Sequence, residues 1–423
     1  MSWFDLIALL LVLSAVFGWI NLRVLHLPHS VGLLIMGLAA SLILVAVDAL
    51  WPGAAVYTDL RHALGRIDFS KLVMDGMLAF LLFAGALNVD IGLLRDRIWP
   101  TLALAIIGTC VSTVLVALAF WAVAGMFGYA MPFAWTLVFG ALISPTDPIA
   151  VLSMMKNARV PQRLRAEAEG EALLNDGIAV VLFTVLLGLA LHGQQTGDTV
   201  AHAGLRLLWE VAGGLGLGAA TGYLAYRMLH AVDNFPVEVL ITLALVTGTW
   251  ALAHKLGTSG PLAVVAAGLL TSHRARPLAM GDETERYVIG LWTVIDEVLN
   301  SVLFLLIGLE VVVLSFKPSV IVLALLAVPI TLLARLVAVS APMLVLQGSR
   351  LTSWRHVPFL TWAGIHGGIS VALALSLPVN DQRPVILAAT YAVVLFTLIV
   401  QGPSLGWMAR RTLPEKTGQS TQP

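Results

Sequence analysis

The chain has 423 residues, 59% of them hydrophobic and only 11% charged, where a soluble domain carries about 25% charged residues; the composition is that of an all-α polytopic membrane protein. Its 24 basic and 24 acidic residues cancel, so overall charge gives no sign of nucleic acid or of an acidic partner. The single cysteine, Cys110, excludes an intrachain disulfide and a cysteine cluster for zinc or iron–sulfur, and in its apolar run it reads as a small packing residue.

A transmembrane helix needs about 20 mostly apolar residues. That criterion places thirteen spans, at about 3–22, 31–50, 72–91, 99–125, 132–155, 170–191, 203–230, 236–253, 259–272, 287–315, 319–346, 357–377 and 383–407. The first 22 residues lack Lys and Arg and form too long an apolar stretch for a cleaved leader, so they read as a retained helix. Sixteen Lys and Arg fall in the odd-numbered loops and the C-terminal tail, Arg95, Arg97, Lys156 and Arg350 among them, against six in the even loops. Basic residues stay on the cytoplasmic side, which puts the N-terminus outside and the C-terminus inside. No repeat of solenoid period is visible. Longer inverted repeats leave little trace in a sequence, and spans 1–6 and 8–13 are of the right size to form such a pair.

Four spans carry groups that a bilayer disfavours. An ionised side chain near its centre costs about 2.5–3.5 kcal/mol on insertion scales, so it faces a partner or a water-filled path. Span 5 contains "SPTDPIAV" (144–151), in which Pro145 and Pro148 each remove a backbone donor. The carbonyls freed around Thr146 and Asp147 line a cavity or are buried in protein, and a carboxylate beside loose carbonyls suits a small hard cation; a simple proline kink is the plainer reading. Span 6 contains "EGEALLNDGIAVVLF" (169–183). Glu171 and Asn175, four apart, share a face, with Asp176 about 100° further round. Glu171 also fits a place at the water interface. Arg335 lies deep in span 11 and needs a partner. Span 12 contains "WAGIHGGISVALALSLP" (362–378), where Gly364, Gly367 and Gly368 around His366 favour a second break or close helix packing. His366 is either a titrating modulator or a hydrogen-bonded structural residue.

Together with "GTSGPLAVVAAGLL" (257–270), "LNSVLFLLIGLEV" (299–311) and "VVLFTLIVQG" (393–402), these stretches resemble the sodium/proton antiporters of the cation:proton antiporter-1 family, in the family's order over nearly the whole chain. The resemblance implies inverted repeats with broken helices 5 and 12, and exchange of a monovalent cation, Na⁺ before K⁺ or Li⁺, for H⁺. It implies an ion site of Thr146, Asp147 and Asp176, with the two aspartates holding Na⁺, Asn175 bracing helix 5 against helix 6, and Glu171 paired with Arg335. His366, Gly367 and Gly368 stand where "RGG" is usual, Ala172 where a serine is common, and Ala84 where some relatives have glutamate. Electrogenic relatives have an aspartate at the place of Asn175, so electroneutral exchange is expected here. The family further implies a homodimer in the plasma membrane, an antiporter domain over 1–408 and a cytoplasmic tail over 409–423. Within the domain it implies a mobile core at about 99–191 and 319–407 and a dimerisation part at about 1–91 and 203–315. No cofactor and no enzymatic activity are expected.

Other classes fit less well. A carrier of a small organic solute coupled to H⁺ or Na⁺ calls for more polar or aromatic contacts near the breaks. An intramembrane aspartyl protease needs Tyr-Asp and Gly-x-Gly-Asp signatures that the chain lacks, and a channel favours weak, multiple sites over paired carboxylates.

Overall fold

In hydrocarbon every peptide N–H and C=O must bond internally, which leaves a chain of this composition only helices or a closed barrel. A computed structural model describes residues 3–50, 71–89, 92, 98–147, 150–151, 155, 160–192, 200–275, 282–311, 317–345 and 354–413, and among them there is helix and no strand. Pro148, the loop residues Arg95, Arg97, Lys156 and Arg350, and tail residues 414–423 lie outside the described residues.

The helices follow the expected spans. α1 is Trp3–Ile20 with a π turn Asn21–Leu25, α2 is His29–Leu50, and α3 joins a π turn Leu72–Met77 to Leu78–Asn88. α4 runs through Ile98–Ala103, a π turn Leu104–Gly108 and Thr109–Met126; α5 is Phe133–Ile143, α6 Gln162–His192 and α7 Val200–His230. α8 is Phe235–Leu256, α9 Gly260–Leu270 with a π turn Thr271–Ala275, α10 Asp282–Glu310 and α11 Pro318–Val345. α12 comes in two pieces, Val357–Trp362 and Gly368–Leu375, and α13 runs through Arg383–Phe396, a π turn Thr397–Gln401 and Gly402–Thr412. By length and composition α1, α4, α6, α8, α10, α11 and α13 each suffice to cross a membrane, while α2, α3, α5 and α9 are shorter apolar helices.

Local chemistry sets several ends. α8 starts where the Asn234 side chain accepts the Val237 N–H with Pro236 in the first turn, and stops at Gly257 with φ 62°. Ser259 caps α9 in the same way, again with a proline in the first turn. Other helices overrun their apolar stretches. α6 begins at Gln162 rather than near 170, because Pro161 O accepts the N–H groups of Leu164 and Arg165 and Arg165 Nε holds Glu169 Oε1 at 2.7 Å one turn on. α13 reaches Thr412, with the Arg411 guanidinium over the Trp407 ring. Cys110 departs from expectation: it is exposed on α4 rather than packed. It shares that outward position with Ile7, Trp19, Leu208 and Trp209, the side a bilayer solvates with acyl chains.

Packing divides among neighbours. α2 lies along α10, α7 against α8 and α9, and α3 against α9 and α10; α4 packs on α5 and α11, α5 on α6, and α11 on α13. The α2–α10 crossing is backbone on backbone. A Cβ on Gly308 would come within 2.6 Å of Leu34 O, and one on Gly37 within 2.8 Å of Leu305 O, so both positions require glycine. The Ser41 hydroxyl donates a proton shared between Gly308 O (3.0 Å) and Leu309 O (2.8 Å). His29 Nε2 meets Ser301 Oγ at 2.8 Å; that hydroxyl already donates to Glu297 O, so the imidazole is the donor.

α6 and α11 are joined by charge. Arg335 Nη1 lies 2.6 Å from Glu171 Oε1, with side chains 7% and 2% exposed. Removing one partner of a buried pair strands the other charge and costs about 3–5 kcal/mol, whereas replacing both with apolar groups costs much less. Arg335→Ala is therefore expected to lower the melting temperature in detergent more than the double variant Glu171→Gln, Arg335→Met does, and a double variant as unstable as the sum of its single changes would show that the two groups act separately.

Candidate functional site

The site grows from two breaks. α5 stops at Ile143, just before Pro145, and Ser144 Oγ donates back to Gly140 O at 2.6 Å. Past the break Asp147 acts as a cap: its Oδ1 accepts the Ala150 N–H at 3.0 Å and its backbone O accepts the Val151 N–H at 3.1 Å, which starts the next helical stretch. α12 is interrupted over residues 363–367, and its second piece begins at Gly368. The interruptions lie against each other and exchange hydrogen bonds. Asp147 N–H donates to Ile365 O at 2.7 Å, and His366 Nδ1 lies 2.8 Å from Pro145 O. A carbonyl only accepts, so Nδ1 carries the proton. His366 N–H in turn donates to Thr397 Oγ1 at 3.2 Å, in the π turn of α13. His366 is thus a buried bridge between helices, 3% exposed.

Gly367 lies directly against the Asp147 carboxylate, and a Cβ there would overlap Asp147 Oδ2. The glycine gives the acid its room. From the other side α6 presents Asn175, whose Oδ1 accepts the Thr146 N–H at 3.3 Å while its Nδ2 donates to Thr146 Oγ1 at 3.0 Å. The amide therefore satisfies the loose backbone and turns the Thr146 hydroxyl toward α6. Glu171, one turn before Asn175, is taken by Arg335.

Asp176 is treated differently. It is 1% exposed, and neither carboxylate oxygen has a hydrogen-bond partner among the described residues. A buried unsatisfied group of this kind in a folded protein calls for a ligand, an ion or water. A small, partly open cavity of about 30 Å³ supplies the space, lined by Asp147, Asp176, Pro145, Asn300, Gly367 and Ser370 with Leu81 and Leu82 of α3 alongside. Among the described residues its polar lining is oxygen-rich, which favours a hard cation over a soft metal; the same carboxylates accept protons. Thr146 is not among the lining residues. Asn300 and Ser370 are, although sequence reasoning passed over both: Asn300 stood in plain view, paired with Ser301, at the head of an apolar run in α10.

A family model described as sodium/hydrogen exchanger, transmembrane, matches residues 11–411. The chain is 41% identical to the Na(+)/H(+) antiporter NhaP of Pseudomonas aeruginosa, over 96% of either chain. It is 33% identical to the Na(+)/H(+) antiporter NhaH of Halobacillus dabanensis, over 90% of this chain and 91% of that one. Its fold matches the sodium proton antiporter MjNhaP1 of Methanocaldococcus jannaschii with TM-score 0.75 at 20% identity, covering 97% of this chain and 99% of that chain. A match over this length and to these relatives, on a chain of membrane-crossing helices, makes the protein an integral multi-pass member of the sodium/hydrogen exchanger transmembrane family.

Proposed function

We propose that the protein is a secondary antiporter that exchanges Na⁺ for H⁺ across the plasma membrane. The observation that carries this reading is Asp176, buried with neither oxygen hydrogen-bonded among the described residues, in one cavity with Asp147 where two broken helices meet. The relatives' shared name, Na(+)/H(+) antiporter, supports it. Among the described residues that line the cavity there is no aromatic side chain, which speaks against an organic solute.

The mechanism follows from competition for the same oxygens. A cation entering the cavity is held by Asp147 and Asp176 and displaces a proton from the pair; a proton arriving from the other side displaces the cation. Asn175 and the Glu171–Arg335 pair hold the broken stretch in place while the occupant changes. Alternating access comes from movement of a core (about 99–191 and 319–407) against a dimerisation part (about 1–91 and 203–315) in a homodimer, with the N-terminus outside and the C-terminus cytoplasmic. The excess of basic residues in the odd-numbered loops supports that orientation.

Asp147→Asn and Asp176→Asn are expected to abolish Na⁺-dependent dissipation of a pH gradient in everted vesicles while leaving the protein folded. Asparagine still caps the stretch after residue 147, and Asp176 gives up no hydrogen bond on substitution. A folded Asp176→Asn protein that transports normally would falsify the assignment.

Charge counting yields a second expectation. The cavity holds two carboxylates, and Asn175 binds no proton. Close carboxylates titrate as a coupled pair; with one proton retained by the pair throughout, the loaded core carries the same charge with one Na⁺ or with one further H⁺. Exchange in proteoliposomes is then one for one and indifferent to a valinomycin-clamped potassium potential. A steep response of rate to that potential, or a reversal point away from equal Na⁺ and H⁺ ratios, contradicts this accounting.

A further inference from the structure

Asn300 of α10 is 4% exposed and lines the cavity that Asp147 and Asp176 share. Its amide nitrogen is fully engaged by the preceding turn: Nδ2 donates to Asp296 O at 2.8 Å and to Asp296 Oδ1 at 3.0 Å. Both acceptors are oxygens, so only the NH₂ end of the amide fits there and the side chain has a single orientation. The carbonyl end, Oδ1, is left buried and, among the described residues, without a hydrogen-bond partner. The residue is also held firmly. The adjacent Ser301 is tied to His29 of α2 and to Glu297, and α10 meets α2 at the Gly37–Gly308 contact.

A fixed, buried and unsatisfied carbonyl oxygen on a cavity that holds two carboxylates is what a partly dehydrated cation needs and what a proton does not. A proton sits on one oxygen, and Asp147 or Asp176 already provides it. An alkali cation is held by several oxygens at once, and a neutral donor adds coordination without adding a charge that would also bind H⁺. We propose that Asn300 Oδ1 is a specificity-determining ligand for the transported cation, contributed by α10 to a site whose carboxylates come from α6 and from the break after α5. The inference rests on the antiport reading above. Its consequence is that Asn300 tilts the competition between cation and proton toward the cation.

The test uses the full chain in proteoliposomes with Na⁺ as the probe. Asn300→Leu keeps the branched shape and removes the oxygen while excluding water; Asn300→Ala removes the oxygen but leaves room for a water in its place. Loss of an oxygen facing a charge is expected to raise the KM for Na⁺ about tenfold in the leucine variant and less in the alanine variant. Vmax at saturating Na⁺ should stay within about twofold of the parent, the pattern of lost binding rather than lost chemistry. In detergent, losing the two bonds to Asp296 lowers the melting temperature without Na⁺, and the diagnostic quantity is the rise produced by added Na⁺, which should shrink. If the leucine variant does not fold, the alanine variant carries the same test. Parental KM and parental Na⁺-induced stabilisation in the folded variants would overturn the proposal, as would a fall in Vmax at unchanged KM, which marks a structural role. A parent protein that moves no Na⁺ against H⁺ strikes the proposed function itself, a result the variants cannot produce.

Discussion

Backbone groups set free by a helix break have no water to turn to inside a bilayer, and here the two breaks serve each other. The Asp147 N–H goes to Ile365 O, and Pro145 O receives the proton of His366 Nδ1. Those two bonds fix the register of α5 against α12. From that register follows the contact of Gly367 with the Asp147 carboxylate, and hence the floor of the cavity. The rest of the scaffold radiates outward: Asn175 takes up the remaining loose groups at Thr146, and α6, so anchored, reaches α11 through Glu171 and Arg335. His366 extends the network to α13 through Thr397. α5, α6, α11, α12 and α13 are thus tied around the site by polar contacts that would be far weaker in water.

Along α6 the same chemistry is used in opposite ways. Glu171 and Asp176 are carboxylic acids on one helix, both almost fully buried. The first meets a guanidinium at ion-pair distance and is spent on structure. The second shares its cavity with Asp147 and has no hydrogen-bond partner among the described residues. Burying an ionisable group without a partner is expensive, and stability is given up at that point because an ion or proton must be able to come and go. Asn175 sits between them in the chain and does neither: it carries no charge, so it adds scaffold without adding to the titrating inventory.

Much of this was legible in the sequence, and for identifiable reasons. The thirteen spans follow from apolar length, and both breaks follow from Pro145 and from the glycines at 364, 367 and 368, since these residues act locally through missing donors and missing side chains. Helix ends were less legible: at α6 and α13 the helices continue past the membrane-depth stretch on i,i+4 charge and cation–π contacts, which an apolar-run criterion does not see. Side-chain direction was the least legible. Cys110 turns outward, the Thr146 hydroxyl turns to Asn175, and Asn300 enters the cavity; each depends on how a distant helix lies. The need of Arg335 for a partner was plain from its depth, but only the family resemblance, not spacing, pointed to an acid more than 160 residues earlier, at Glu171.

The crossing of α2 and α10 at Gly37 and Gly308 has a mechanical meaning. Side chains that interdigitate can hop between rotamers and let two helices slide by a fraction of a turn, but here the contact is main chain on main chain, and the Ser41 hydroxyl, shared between two carbonyls of α10, pins it. Such a joint has no slack to take up. α2 and α10 therefore behave as one welded beam, and any spectroscopic ruler that records rearrangement elsewhere in the molecule has in that beam a natural zero from which to measure.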